Sequence, residues 1–205
     1  MVLNVLTLFL PLPLFWAMYS QCNSRWVFQA TKMDGNVGFY TIKPDQMVIL
    51  PTIFIISLLP IFDFAVYPLL AKIGIKTALQ KVTCGFICCM TSFVTAAIIE
   101  WKINRDYIPM LWLFPQYFLI ALSEVFIWVP VVNFAYTQAP ERMKSVMTSF
   151  VYVTVACGSL IVIIVSGSKL VESQMNEFLI YSGAMIFNIL FFMILIRNYT
   201  FVDKK

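Results

Sequence analysis

The 205-residue chain is 61% hydrophobic and only 12% charged, carries a formal net charge of +4 and contains no histidine. Soluble domains are about 45 to 50% apolar, so the composition excludes an ordinary water-soluble domain and points to a polytopic membrane protein. The basic residues are spread over short connections in runs of at most two, which argues against a nucleic-acid partner. Without histidine, a nucleophile beside a base or paired carboxylates at catalytic spacing, the chain does not read as an enzyme.

Crossing a bilayer takes about 20 apolar residues. Six such runs fit: Val2–Ser20, Met47–Leu70, Val82–Ile99, Leu111–Ala135, Val146–Val165 and Phe178–Ile196. They make residues 1–205 a single all-α transmembrane domain, with Gln21–Gln46 as the longest connection. The first run has no Lys or Arg before Arg25, contains Pro11 and Pro13 and lacks a small-x-small cleavage site, so it reads as a retained helix rather than a secretion signal. Pro11 and Pro13 remove two backbone donors near mid-membrane and open the helical ladder, either as a gate or as a packing kink. Phe15 and Trp16 follow, to line a cavity or to face lipid.

In the second run Asp63 lies between Pro60 and Pro68, placed either to carry protons or to form a salt bridge or helix cap at an inner gate. The third run reads as apolar scaffold. Four of the five cysteines, Cys84, Cys88, Cys89 and Cys157, fall inside runs as small apolar filler. Cys84 and Cys88 share a face, but two thiols without histidine make no metal site. The fourth run holds Glu124, about a dozen residues from either end with no other charge in the window. A carboxylate at bilayer centre costs about 2.5 to 3.5 kcal/mol, so it belongs in a bundle interior or a water-filled path, as a binding or proton-coupling group. Tyr117 lies two turns before it on nearly the same face, and Pro130 is expected to interrupt the helix beyond it. Gly158, with Ser166 and Gly167 two turns on, has the small-residue spacing of closely packed helices. Trp26, Trp101 and Trp112 fall near run boundaries, as an interfacial belt requires.

Basic residues set orientation. With a cytoplasmic start, Lys72, Lys76, Lys81, Arg142, Lys144, Arg197, Lys204 and Lys205 are inside, and Arg25, Lys32, Lys43, Lys102, Arg105 and Lys169 are outside. Both termini are then cytoplasmic. The acids Asp34, Asp45, Glu100, Asp106, Glu172 and Glu177 all fall on the outer side, and Asn198-Tyr199-Thr200 is a glycosylation acceptor whose use would reverse the arrangement.

Several blocks then become recognisable in order: Pro11-Leu12-Pro13-Leu14-Phe15-Trp16-Ala17, Ser24-Arg25-Trp26 with Gln29-Ala30-Thr31-Lys32-Met33, and Pro44-Asp45-Gln46-Met47. Pro60-Ile61-Phe62-Asp63 with Tyr67-Pro68-Leu69, Pro115-Gln116-Tyr117 with Glu124-Val125, and Tyr136 with Gln138-Ala139-Pro140 and Met143-Lys144-Ser145-Val146 follow. Over almost the whole chain the sequence resembles animal members of the proton-coupled oligopeptide transporter family. The resemblance implies a major facilitator fold of two six-helix bundles, with this chain similar to the second. It implies that Glu124 receives the amino terminus of a di- or tripeptide, that Trp16, Phe15 and Tyr117 shape the pocket, and that protons are the coupling ion, with no other cofactor. The Glu-x-x-Glu-Arg motif that the family places in the other bundle is absent from this sequence. Partners are then peptide substrates, membrane lipid and an N-terminal six-helix half, most naturally in the plasma membrane.

Departures are specific. Asn4 and Ser20 stand where relatives carry a basic residue and an acid, Pro51 stands where Asn is common, and Glu100 to Pro109 replaces a large extracellular insert. Two readings follow: half of a peptide and proton symporter, or a truncated or degenerate transporter-like protein with an assembly or regulatory role.

Overall fold

The computed structural model describes residues 2–167 and 173–199. Lys169, Glu172, Lys204, Lys205 and Thr200 of the glycosylation acceptor lie outside the described residues. The structure is an all-helical bundle: α1 Val2–Thr7, α2 Leu12–Tyr19, α3 Arg25–Ala30, α4 Ile49–Ile61, α5 Tyr67–Lys72, α6 Ala78–Ile103, α7 Phe114–Gln138, α8 Lys144–Gly167 and α9 Gln174–Arg197. These compose six membrane spans, Val5–Ala30, Pro44–Lys72, Ala78–Ile103, Met110–Gln138, Lys144–Val165 and Gln174–Arg197.

The count of six matches the hydropathy pattern; the end of the first span does not. Hydropathy places that end at Ser20, whereas a 3-10 turn over Ser20–Asn23 carries the helix into α3 and the span to Ala30. The polar residues that dilute the signal are satisfied by protein: Gln29 Nε2 donates to the Ala96 carbonyl at 3.0 Å, and Ser20 Oγ donates to the Trp16 carbonyl at 2.8 Å. The connection that remains is pinned by Asp34, whose N–H donates to the Ile108 carbonyl at 3.0 Å and whose carbonyl accepts from Met110 at 2.7 Å.

The prolines act differently from one another. At Pro11 and Pro13 the first span breaks between α1 and α2, and the carbonyls of Thr7 and Phe9, deprived of their usual partners, accept from Leu10 (3.3 Å) and Leu12 (3.1 Å) instead. Buried Asn188 of α9 donates to the Pro11 carbonyl at 3.1 Å, fixing the break to the opposite wall. In the second span the strain is absorbed by a π-turn over Phe62–Val66, the usual form of such local insertions. Pro130 does not interrupt its helix: α7 runs through it to Gln138, since neighbouring spans support a proline-containing membrane helix.

α6 packs against α7 and α9, α2 against α8, and α4 against α7. Phe15, Trp26, Phe86, Phe93, Tyr117, Phe178 and Phe192 fill the core between the first span, α6, α7 and α9, while Leu58, Phe62, Ala121, Val125 and Phe126 form a second cluster between α4 and α7. At Gly85 a methyl group would stand 2.4 Å from Ile127 Cγ1, so glycine permits the α6–α7 approach. Trp101 and Trp112 are half exposed and stacked by Arg105 and Lys102 at 3.9 and 3.8 Å, as a belt requires. Trp26 is not part of it: the indole is fully buried, 5.4 Å from Phe93 and 5.1 Å from Tyr117.

Charges assigned to outer loops by hydropathy are instead paired against the bundle. Lys32 Nζ lies 2.6 Å from Glu100 Oε1 and 2.8 Å from Gln174 Oε1. Arg25 Nε lies 3.0 Å from Glu177 Oε1, which also accepts from Tyr181 at 2.6 Å, while Gln174 Nε2 donates to the Arg25 carbonyl at 2.7 Å. Glu100, expected in a loop after a featureless third run, is 1% exposed at the end of α6. These contacts tie the end of the first span to the third and sixth.

Candidate functional site

Glu124 projects from the middle of α7 toward the first span, where Tyr19 and Cys22 face its carboxylate. It is half-buried, and its Oε2 is enclosed without a hydrogen-bond partner. The carboxylate is thus withdrawn from lipid with acceptor capacity unused, the state in which a desolvated cation is held most strongly.

An aromatic wall leads away from it. Trp16 meets Trp128 edge to face at 5.4 Å, and Trp128 meets Tyr152 of α8 in the same way, also at 5.4 Å. Trp16 also lies 6.0 Å from Tyr19, and its Nε1 is buried without a partner. The position of Trp16 depends on Gly158: a methyl there would stand 2.6 Å from Trp16 Cβ, 2.8 Å from the Pro13 carbonyl oxygen and 3.0 Å from the Ala17 nitrogen. The small-residue spacing therefore seats α8 directly on the segment that follows the proline break.

Of the residues singled out by sequence, the structure brings Trp16 to Glu124's wall and places Phe15 and Tyr117 behind it. Phe15 is fully buried between Trp16 (4.8 Å) and Phe86 (6.1 Å). Tyr117 is also fully buried, its hydroxyl donating to the Cys22 carbonyl at 3.5 Å. Both support the wall from the core. Asp63 lies apart, in a cavity of about 340 Å³ lined also by Tyr67, Lys76, Lys81, Pro130 and Asn133. It sits in the π-turn rather than at a helix end, so it is no cap, and among the described residues it makes no ion pair within 4.0 Å. Lys81 instead lies 4.0 Å above the Tyr67 ring. Tyr19, Cys22, Trp128 and Tyr152 were not singled out by sequence. Trp128 is one turn from Glu124 and Tyr19 one turn from Phe15 and Trp16, so helical spacing would have found both. No cluster of metal-binding side chains occurs among the described residues.

Six apolar spans around a recessed, incompletely satisfied carboxylate, with a proline-broken helix beside it, define a multi-pass membrane protein built as a six-helix bundle, and its superposition on POT family transporters gives that bundle the major facilitator fold. The model of the POT family matches residues 1–194, and the chain belongs to that family. It is similar to peptide transporter family 1 of Drosophila melanogaster, with 48% identity over 102 residues, which is 50% of this chain and 14% of the relative. It is similar to solute carrier family 15 member 1 of Oryctolagus cuniculus, with 49% identity over 106 residues, 51% of this chain and 15% of the relative. Among solved structures, an auto-inhibited POT family peptide transporter superposes with a TM-score of 0.88 and 25% identity over 98% of this chain and 42% of its own. The POT family transporter PepTSo gives 0.88 and 26% over 97% and 41%. The chain thus matches less than half the length of each of these proteins.

Proposed function

We propose that this chain supplies the C-terminal six-helix bundle of a proton-coupled symporter of di- and tripeptides, working with an N-terminal six-helix half in the plasma membrane, both termini cytoplasmic. Glu124 receives the peptide's ammonium group. Trp16 and Trp128 form the wall beside it, Phe15 and Tyr117 hold that wall in place, and the break at Pro11 and Pro13 gives the first span its freedom to gate. Asp63 serves the opposite, basic-loop end as a gating or proton-related group. Protons are the coupling ion, and lipid covers the outer faces. The observation that carries this reading is the unsatisfied, enclosed Oε2 of Glu124 at the foot of an aromatic wall. An ammonium ion supplies the missing donor and the compensating charge together, and its hydrogens can approach aromatic faces.

Membership of a family whose relatives are named peptide transporters favours transport over the assembly or regulatory alternative. The test is peptide binding to the chain joined to its partner half. Glu124→Gln is expected to weaken a dipeptide's binding by at least about tenfold, corresponding to loss of a charge-assisted contact, and to leave the already weak binding of the N-acetylated dipeptide unchanged. Equal affinities of the two peptides for the unaltered protein would overturn the reading.

A further inference from the structure

We propose that the groove between the start of α6 and the end of α9 holds one anionic phospholipid, its phosphate on Arg197 and an acyl chain along the apolar faces of the two helices. The inference takes only the orientation from the reading given above and is independent of Glu124 and of peptide.

The two helices leave between them a cavity of about 470 Å³, lined by Ile75, Cys84, Met193 and Ile196 together with Gln80 and Arg197. Ligand pockets measure about 300 to 1,000 Å³, and this one is open along its side, as a groove that takes its ligand from the bilayer has to be. The helix faces that meet there continue away from it into the membrane. On α9, Ile186, Leu190, Met193 and Arg197 recur at steps of four, three and four and so share one face; the first three are about half exposed. On α6, Gln80, Cys84 and Ile87 recur in the same way, and Ile87 is also about half exposed. Each face is therefore polar at the membrane end and apolar beyond it. From Arg197 to Ile186 the helix rises about 16 Å at 1.5 Å per residue, which is the depth of one leaflet of a hydrocarbon core about 30 Å thick. The track fits an amphiphile with a polar group at one end and a chain that spans one leaflet.

Charge identifies the headgroup. No Asp or Glu lines the groove, and none occurs between Phe64 and Ile99. The one acid of α9, Glu177, lies at the far end of the helix and is paired with Arg25. Among the described residues Arg197 makes no ion pair within 4.0 Å. The carboxamide oxygen of Gln80 accepts from the Lys76 and Thr77 N–H groups at 3.0 and 3.1 Å, which leaves its amide N–H groups to donate. A guanidinium meets a phosphate through two parallel N–H···O bonds. Without an acid in the groove, the quaternary ammonium of phosphatidylcholine finds no partner, whereas phosphatidylglycerol presents only phosphate and hydroxyls. In the orientation proposed above this end faces the cytoplasmic leaflet, which carries the anionic lipids, and basic pockets between spans on that side suit their headgroups. Two residues past Arg197 the chain packs on α7 instead, Tyr199 against Phe134 and Gln138.

The test is native mass spectrometry of the chain joined to its partner half, purified in detergent and titrated with phosphatidylglycerol or with phosphatidylcholine of the same acyl chains. The first phosphatidylglycerol should bind at least about tenfold tighter than the first phosphatidylcholine, the worth of a charge-assisted contact, and Arg197→Gln should abolish that preference. Arg197→Lys, which keeps the charge, should retain most of it. Met193→Trp fills the groove with the arginine intact and should weaken phosphatidylglycerol by about tenfold as well. Lys72→Gln removes an exposed cation of the neighbouring loop that lies outside the groove, and should stay within about twofold of the parent. Phosphatidylglycerol should also raise the thermal unfolding midpoint of the parent more than that of Arg197→Gln. Equal affinity for the two lipids, equal losses in Lys72→Gln and Arg197→Gln, or no effect of Met193→Trp leaves only a general attraction of lipid to a basic surface and overturns the site. Displacement of the lipid by glycerol 3-phosphate, the headgroup without chains, assigns the groove to a free phosphate compound and overturns the lipid.

Discussion

Removing Lys32 should cost far more than removing Glu100. Glu100 is 1% exposed, its Oε1 has the Lys32 ammonium at 2.6 Å, and its Oε2 has no partner. Lys32→Met therefore strands a buried carboxylate with neither charge nor hydrogen bond on either oxygen, a change that costs about 3 to 5 kcal/mol. Glu100→Gln leaves a different residue behind. The Lys32 side chain is 33% exposed and keeps Gln174 Oε1 at 2.8 Å as well as water, so its loss is about 1 to 2 kcal/mol. In the double variant no charge is buried, and stability should return to within about 1 to 2 kcal/mol of the parent, because replacing both partners is far cheaper than orphaning one. The resulting coupling of at least about 2 kcal/mol exceeds the few tenths by which independent sites depart from additivity. Denaturant or thermal unfolding of the detergent-solubilised transporter, followed by tryptophan fluorescence, gives the four stabilities. Equal losses from the two single variants, or a double variant as unstable as their sum, would refute the claim that the ion pair is a buried lock.

Other substitutions probe the remaining contacts. Gly158→Ala forces α8 off the Pro13 carbonyl and Trp16, costing about 1 to 3 kcal/mol by overpacking and lowering the unfolding midpoint; an unchanged midpoint contradicts the close approach. Asn188→Leu removes the cross-bundle donor to the Pro11 carbonyl and should cost about 0.5 to 1.5 kcal/mol, the net worth of one hydrogen bond, measured in the same assay. Tyr19→Phe keeps the ring against Phe15 and Trp16 and removes the hydroxyl beside Glu124. Calorimetric dipeptide affinity should change by about threefold to tenfold, the worth of one hydrogen bond, with stability nearly constant.

The number of spans and the placement of Glu124 were legible in the sequence, because a run of apolar residues and a lone charge within it report directly on bilayer depth. What hydropathy misread was polarity that faces inward. Ser20 to Arg25 looks like the end of a span, yet the helix continues because its polar groups are satisfied inside the bundle. Trp26, read from its nearness to a boundary, is in the core for the same reason. Glu100, Lys32, Arg25 and Glu177 count as loop charges only until their pairing across spans is known, and such pairs lie 68 or more positions apart in the chain. Pro130 shows the converse. Its local effect is predictable, but whether the helix yields depends on the spans packed beside it.

The same logic bears on the surfaces left open. The apolar windows of the second and fifth spans are only 22% and 17% buried, against 61% for the first. In hydrocarbon an exposed Ile56 or Ile163 carries no penalty, because lipid is as apolar as the side chain, so exposure alone does not separate a lipid face from a protein face. Charge does. Asp63 lies two turns from Ile56 on the second span and makes no ion pair within 4.0 Å among the described residues. A carboxylate there is stable only against protein or water. Its cavity with Lys76 and Lys81 supplies part of that surrounding, and its exposed side leaves the rest to a neighbour. In the reading proposed above, the stripe through Ile56 and Asp63 is the face on which the partner half would seat.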